Sequence, residues 1–284
     1  MSSIRVRELL EHATKHKYGV PAINVFHYES VKWAIEAAES EKLPIIIQVY
    51  PGFRDHIDLK YIADFAKDMA AKAAVPVAVH LDHSNTFEVA VAGIRDGFPS
   101  IMLDGSSLPF EENVRLTSDV IRVAKVFDID VEAELGHVGS GSKLEDIVDS
   151  SNYTSVSQAV EFVKRTGCDS LAVAVGNAHG VYIKEPKLDF ERMNEIRCSL
   201  SIPLVLHGCS DIPNDQIQKS VNLGFSKFNI ATEYDRAIYQ AICSNVNPEE
   251  NRGSFFRLQS MASEEIKAFV VGKLRLLNPN NYSL

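Results

Sequence analysis

The sequence predicts an α/β protein built as a single (β/α)₈ barrel, the TIM barrel. Eight short apolar runs, rich in Val and Ile, alternate with segments of helical periodicity. The runs are apolar on both faces, as buried parallel strands are. An open doubly wound sheet is the alternative, but it would need a Gly-rich turn after the first strand, and Val25-Phe26-His27-Tyr28 is not one.

The eight predicted strands share a length of three to six residues. In chain order they cover residues 22–26, 45–49, 77–81, 100–103, 130–134, 170–175, 204–206 and 227–230. The clearest intervening helices are residues 30–40, 110–127 and 157–166, the last stopped by Gly167. No change in composition marks a linker, so we expect residues 1–284 to form one domain.

Composition excludes several classes of protein. The 284 residues carry 29 Lys and Arg against 38 Asp and Glu, a net charge of −9. A nucleic-acid-binding protein would show a basic surface, so we expect no nucleic-acid partner, and any bound phosphate must be held by backbone N–H groups or a metal. The 4 cysteines form no C-x-x-C pair, and no apolar run has the length of a membrane span. We therefore expect a cytoplasmic protein with no membrane partner.

Polar side chains stand at the carboxyl ends of six consecutive strands, where this fold places its chemistry. His83, His179 and His207 follow the third, sixth and seventh strands. Three imidazoles with a fourth position left open are typical of a catalytic zinc, although other divalent ions also accept imidazole. Asp104 and Glu134, after the fourth and fifth strands, would either join this metal region or hydrogen-bond the histidines.

Two further observations concern the reaction. The loops after strands seven and eight, residues 208–211 and 229–232, contain small and hydroxyl residues that suit a phosphate. A Schiff-base aldolase needs a lysine at this rim, and the strand ends carry none. Lys227 opens the predicted eighth strand and is expected to be a solvated charge at the opposite rim. Stabilisation of a carbanion would then fall to a metal acting as a Lewis acid.

Six motifs, in order along nearly the whole chain, carry a resemblance to a known family. They are H-L-D-H (80–83), I-M-L-D-G-S (101–106), V-E-A-E-L-G (131–136), N-A-H-G (177–180), L-H-G (206–208) and N-I-A-T-E (229–233). Together they resemble the class II, metal-dependent ketose-bisphosphate aldolases, and especially the tagatose-bisphosphate and fructose-bisphosphate enzymes.

The resemblance implies a metal site and a proton-transfer group. His83, His179 and His207 would hold a catalytic Zn²⁺, and Asp104 and Glu134 would form an alternative or structural metal position beside it. Asp82 would donate and accept the proton at the aldehyde carbonyl. The loop after strand five would supply the carboxylate that removes the α-proton of the ketone. For that carboxylate the candidates are Glu145 and Asp146.

The resemblance also implies a substrate-binding set for dihydroxyacetone phosphate, with a monovalent cation, Na⁺ or K⁺, nearby. This set is Gly180, Gly208, Cys209, Ser210, Asn229, Ile230, Ala231 and Thr232. Cys209 replaces a small residue of the relatives and is expected to fill that space. The family likeness further implies a homodimer or a homotetramer acting on a small sugar phosphate.

Several positions depart from the family pattern. Asp211 stands in H-G-C-S-D where relatives carry glycine, and we expect it to point away and cap the helix that follows. Tyr50 stands where relatives carry Ser or Thr, and neither Arg252 nor Arg257 aligns with an arginine for a distal phosphate. The identity of the aldehyde stays open. So do two alternatives to aldol cleavage, a metal-dependent isomerase or epimerase and a weakly active subunit that stabilises a partner.

Overall fold

The computed structural model describes residues 3–144 and 150–284, and it forms a closed eight-stranded parallel barrel with strands in chain order. The barrel closes where β8 pairs with β1, through Val20↔Lys227 and Ala22↔Asn229. The strands are β1 (Val20–Asn24), β2 (Ile45–Val49), β3 (Val77–Ser84), β4 (Ser100–Leu103), β5 (Asp130–Leu135), β6 (Ser170–Val173), β7 (Leu204–Leu206) and β8 (Phe225–Ile230). The predicted fold is therefore confirmed.

Helices follow the strands and surround the barrel. Within the described ranges they are α1 (Val6–His16), α2 (Tyr28–Glu41), α3 (Leu59–Lys72), α4 (Phe87–Arg95), α5 (Phe110–Val126), α6 (Val156–Thr166), α7 (Phe190–Ser199), α8 (Asn214–Asn222), α9 (Thr232–Ser244), α10 (Pro248–Asn251) and α11 (Phe255–Leu277). Among these residues, no helix combines the length and the apolar character that crossing a bilayer requires.

Most predicted boundaries agree with the structure to within two residues, and the differences have local causes. The sixth strand ends at Val173 and not at Val175. Ala174 donates its N–H to the Thr154 hydroxyl at 2.9 Å, and Val175 donates to the Asn177 side chain at 2.8 Å. Two side chains thus take the backbone hydrogen bonds that would have continued the ladder.

Apolar residues fill two separate spaces. The larger core lies between the outer face of the strands and the helices, with residues such as Ile47 and Leu103 fully buried. A smaller core closes the amino-terminal end of the barrel, where Leu9 and Leu10 of α1 pack on Val20. Because side chains alternate across a strand, each strand supplies both the outer core and the barrel interior.

The upper half of the barrel interior is polar. Its inward-facing side chains are at most 5% exposed, and they are Asn24, Gln48, His80, Asp82, Glu132, Glu134, His207, Lys227 and Asn229. His80, two residues before Asp82 on the same face of β3, fills a layer of this interior, with Nδ1 2.8 Å from the Ser100 hydroxyl.

The prediction of a solvated Lys227 was wrong. Its side chain is fully buried, and its Nζ lies 2.8 Å from Glu132 Oε2. The reason is that β8 begins two residues earlier than predicted, at Phe225, so that Lys227 stands within the strand and faces inward.

Candidate active site

The end of β3 delivers two adjacent side chains to the mouth of the barrel. In a regular strand, Asp82 and His83 would face opposite sides of the sheet. The register with β4 shifts between Leu81 and Ser84, and His83 adopts a left-handed backbone with φ of 43°. This irregularity lets both residues line the same cavity.

Three histidine rings converge at this mouth. His207 Nδ1 lies 2.9 Å from His83 Nε2 and 3.4 Å from His179 Nε2. In a tetrahedral zinc site with Zn–N bonds of ~2.0–2.1 Å, neighbouring ligand nitrogens lie about 3.3 Å apart. The observed separations therefore suit a shared divalent ion, and the three residues predicted from the sequence are brought together.

Each histidine contacts an acceptor through its other ring nitrogen. His83 Nδ1 lies 3.1 Å from an Asp104 oxygen, and His179 Nδ1 lies 3.2 Å from the carbonyl oxygen of Val138. His207 Nε2 lies 2.8 Å from Glu132 Oε1. Because ionised carboxylates and carbonyls only accept, these nitrogens carry the protons, and the converging nitrogens are free to bind a metal.

A second group of possible ligands lies beside the first. His83, Asp104 and Glu134 each place one ligand atom within 4.8 Å of the others. Glu134 is 1% exposed, and neither of its oxygens makes a hydrogen bond in the described part of the chain. Burial raises the pKa of Glu134 well above its usual value. A buried carboxyl group without partners is suited to bind a cation.

Two of the three histidine rings are neutral, and the third lies among carboxylates. Burial lowers the pKa of His179 to about 4 and that of His207 well below its usual value, so both rings are neutral, as metal ligands must be. Burial also opposes the charging of His83, but the carboxylates of Asp82 and Asp104 outweigh it and raise the pKa of His83 to about 10. The carboxylates thus create a potential that attracts positive charge.

Asp82 is held by three side-chain amides. Its Oδ2 accepts from Asn24 Nδ2 at 2.9 Å and from Gln48 Nε2 at 3.2 Å, and its Oδ1 accepts from Asn229 Nδ2 at 3.1 Å. Burial would raise the pKa of Asp82, but the positive charges of His83 and Lys227 and the hydrogen bond from Asn24 bring it below the usual value. The result is an ionised, oriented carboxylate at the edge of the cavity, suited to proton transfer.

The cavity has a volume of about 440 Å³ and includes most of the predicted substrate-binding set. The residues of that set that line it are Gly180, Gly208, Ser210, Asn229, Ala231 and Thr232. Cys209 and Ile230 are not among the lining residues, because their side chains are buried in the core, where Cys209 fills space as expected. Helix α9 begins at Thr232, which lines the cavity, so the N-terminus of a helix, a position that favours anions, lies at the cavity wall.

Some residues singled out in the sequence lie elsewhere. Asp211 does not cap the next helix, whose N-cap is Pro213 with no side-chain bond; it pairs instead with Arg236. Arg236 offsets the negative charge of Asp211, which follows Ser210 in the loop predicted to suit a phosphate. Glu145 and Asp146 lie outside the described residues.

Several lining residues were not singled out for this cavity. Phe53, Asn85, Ser106, Ser107, His137 and Val138 come from the loops after β2, β3, β4 and β5. Tyr50 is half exposed. The centroid of its ring lies 5.6 Å from that of Phe53 and 6.4 Å from that of His83. Only their position after a strand could have indicated them, since loop residues carry no periodic signal.

Glu132 is the most important omission. It contacts a candidate metal ligand, His207, without lining the cavity. The signal that could have found it is its place two residues before Glu134, because residues i and i+2 of a strand share a face.

Comparison with known proteins agrees with this architecture. Residues 4–282 match the family model described as fructose-bisphosphate aldolase class-II. The chain is 40% identical over 278 residues to the fructose-bisphosphate aldolase of Geobacillus stearothermophilus, covering 97% of this chain and 96% of that protein.

Two crystal structures show the same arrangement. The YdjI aldolase of Escherichia coli K12 has a TM-score of 0.85 and 37% identity, with 97% of each chain covered. A putative fructose-1,6-bisphosphate aldolase from Coccidioides immitis has a TM-score of 0.86 and 29% identity, with 96% of each chain covered. The chain belongs to the class II fructose-bisphosphate aldolase family.

Proposed function

We propose that the protein is a zinc-dependent aldolase that reversibly cleaves a phosphorylated ketose. The substrate would be of the tagatose- or fructose-1,6-bisphosphate type, and the products would be dihydroxyacetone phosphate and an aldehyde such as glyceraldehyde 3-phosphate. One observation carries the proposal. The nitrogens of His83, His179 and His207 converge, and His83 and His179 line one cavity together with an ionised Asp82.

The three histidines would hold the zinc, with Asp104 and Glu134 at the adjoining position. When bound, zinc supplies Lewis-acid polarisation of a carbonyl and stabilises the charge that develops on its oxygen. Asp82, fixed by its amide partners, takes the hydroxyl proton as the carbon–carbon bond breaks and returns it in the reverse direction.

A second carboxylate must exchange the proton at the α-carbon of the dihydroxyacetone phosphate half. Glu145 and Asp146, in the loop after β5, are our candidates, on the basis of the family likeness. They follow His137 and Val138, which line the cavity, so this loop starts at the site.

The phosphate of the substrate would bind through backbone groups. Among the described residues, no Lys or Arg side chain lines the cavity. Gly180, Gly208 and Ser210, with residues 229–232 at the end of β8 and the start of α9, offer N–H and hydroxyl donors. We propose that a Na⁺ or K⁺ ion near this group offsets part of the phosphate charge.

The setting of the enzyme is also a proposal. We propose a cytoplasmic homodimer or homotetramer in which residues 1–284 form one domain, without nucleic-acid or membrane partners. The family likeness and the net charge of −9 support this.

The test is removal and readdition of metal. The protein is treated with a chelator and then assayed against a panel of ketose mono- and bisphosphates, with triose phosphate as the measured product. We expect activity to be lost and to return with Zn²⁺. Epimerised or isomerised sugar without triose phosphate would instead support a metal-dependent isomerase or epimerase. Turnover only in the presence of another subunit would support the partner-stabilising role.

A further inference from the structure

Lys227 is a charged residue buried in the barrel beneath the cavity. It is 0% exposed, and it does not line the cavity. An isolated ammonium in a protein interior is strongly unfavourable, so a buried lysine needs a partner. Here the partner is Glu132, whose Oε2 lies 2.8 Å from Lys227 Nζ in an ion pair, although the angle is not that of a hydrogen bond.

The second oxygen of Glu132 points to the metal site. Glu132 Oε1 accepts from His207 Nε2 at 2.8 Å, and His207 turns its Nδ1 to His83 and His179. Lys227, Glu132 and His207 thus form a buried chain of three side chains, each at most 1% exposed. These contacts link Lys227, which does not line the cavity, to one of the three converging nitrogens.

We propose that Lys227 is a positioning residue for the metal site. By holding one oxygen of Glu132, it directs the other to His207 and so fixes the ring orientation that presents Nδ1 to the metal. The inference rests on the proposed zinc site, and it assigns Lys227 no covalent role. Asn229, the next inward residue of β8, lines the cavity and lies between Lys227 and the substrate position.

The neighbouring His80 does not hold Glu132 in place of Lys227. His80 Nε2 lies 3.8 Å from Glu132 Oε2, beyond hydrogen-bond distance. The other ring nitrogen of His80 contacts Ser100, so this histidine packs against the pair without holding the carboxylate. Among the described charged groups, the ammonium of Lys227 is the one within 3 Å of Glu132.

The rival explanation is that the buried ion pair serves only the stability of the barrel. Two substitutions separate the roles. Lys227→Met removes the charge and keeps most of the length of the side chain. Replacing both partners, in Lys227→Met/Glu132→Leu, removes the unpaired charge, and such double replacements commonly regain stability. The double replacement does not restore an acceptor for His207 Nε2.

A control is available on the same strand. Asp130 lies two residues before Glu132, is 2% exposed, and pairs with Arg5 at 2.5 Å near the other end of the barrel. Asp130→Asn weakens a partly buried ion pair without touching the histidines. The change in zinc affinity that Asp130→Asn causes measures the effect of lost stability alone.

The full-length variants are compared by zinc affinity, through competition with a chelating dye, and by the thermal unfolding midpoint of the metal-free protein. We expect Lys227→Met to bind zinc about 10- to 100-fold more weakly, the usual effect of losing an outer partner of a ligand. The double variant should regain the unfolding midpoint but not the affinity. Asp130→Asn should lower the midpoint and leave the affinity at the wild-type value.

Two results would overturn the inference: wild-type zinc affinity in Lys227→Met, or an affinity that returns together with stability in the double variant. If Lys227→Met does not fold, Lys227→Gln is compared with Asp130→Asn in its place, because its amide removes the charge and keeps a polar end; a lowered unfolding midpoint with wild-type zinc affinity would then overturn the inference. Wild-type protein that binds no zinc would refute the proposed function itself. Loss of the Lys227 role alone leaves wild-type zinc binding intact.

Discussion

The backbone of Gly208 offers a sharp test of how the site is assembled. Gly208 follows His207 and has φ of 61°. A Cβ at this position would lie 2.0 Å from the carbonyl oxygen of Ala178, the residue before His179. Substitution by alanine must therefore displace one of two loops, each of which carries a candidate metal ligand.

The cost of Gly208→Ala has two parts. A non-glycine residue in the left-handed region loses about 1–2 kcal/mol. Overpacking against a backbone that cannot yield adds about 1–3 kcal/mol, so we expect Gly208→Ala to reduce the free energy of unfolding by about 2–5 kcal/mol. Gly180 is the matched control, since its φ is 83° and a Cβ there meets no atom within 4 Å. Gly180→Ala should cost only the strain, about 1–2 kcal/mol.

Urea unfolding of the metal-free proteins measures both free energies, and dye competition measures zinc affinity. We expect Gly208→Ala to bind zinc more weakly than Gly180→Ala, because the displaced loops carry His207 and His179. Equal losses of stability in the two variants, with equal zinc affinities, would refute the argument that contact with Ala178 sets the position of the loop.

Three other substitutions test separate parts of the molecule. Asp82→Asn should lower kcat by about 10²–10⁴-fold in steady-state assays while retaining zinc, because it removes a proton acceptor and keeps the side-chain shape; an unchanged kcat would exclude Asp82 from proton transfer. Tyr50→Ala should raise the KM for the aldehyde about tenfold, which corresponds to a loss of ~1.4 kcal/mol of binding free energy. An unchanged KM would place the aldehyde elsewhere. Phe162→Ala, at a fully buried position of α6, should cost about 3–5 kcal/mol in urea unfolding, and a cost under about 1 kcal/mol would contradict its place in the core.

Much of the site was predictable because, in a barrel, the order of the strands along the chain fixes where each strand ends. Every parallel strand ends at the same rim, so polar residues that follow strands must meet there. For this reason His83, His179 and His207, far apart in the sequence, could be grouped before any distance was known. The same reasoning placed Asp104 and Glu134 beside them.

Boundaries and loops were less predictable. The end of β6 depends on hydrogen bonds that Ala174 and Val175 donate to the side chains of Thr154 and Asn177, and Asp211 pairs with Arg236 in a distant helix. Thr154 and Arg236 cannot be identified as partners from local sequence, because their interactions cross between separate elements. The bulge at His83, which lets two consecutive residues face one cavity, leaves no periodic signal either.

The sequence by itself indicated the eight-stranded barrel, the family and part of the set of side chains at the mouth of the barrel. The alternation of short apolar runs with helical segments predicted the barrel, and the six motifs carried the resemblance to the family. Only the tertiary structure decided which atoms meet, above all that Lys227 lies in the interior and reaches His207 through Glu132. A lysine is ordinarily solvated, and its burial depends on a carboxylate from another strand, at a distance that only the closed barrel sets.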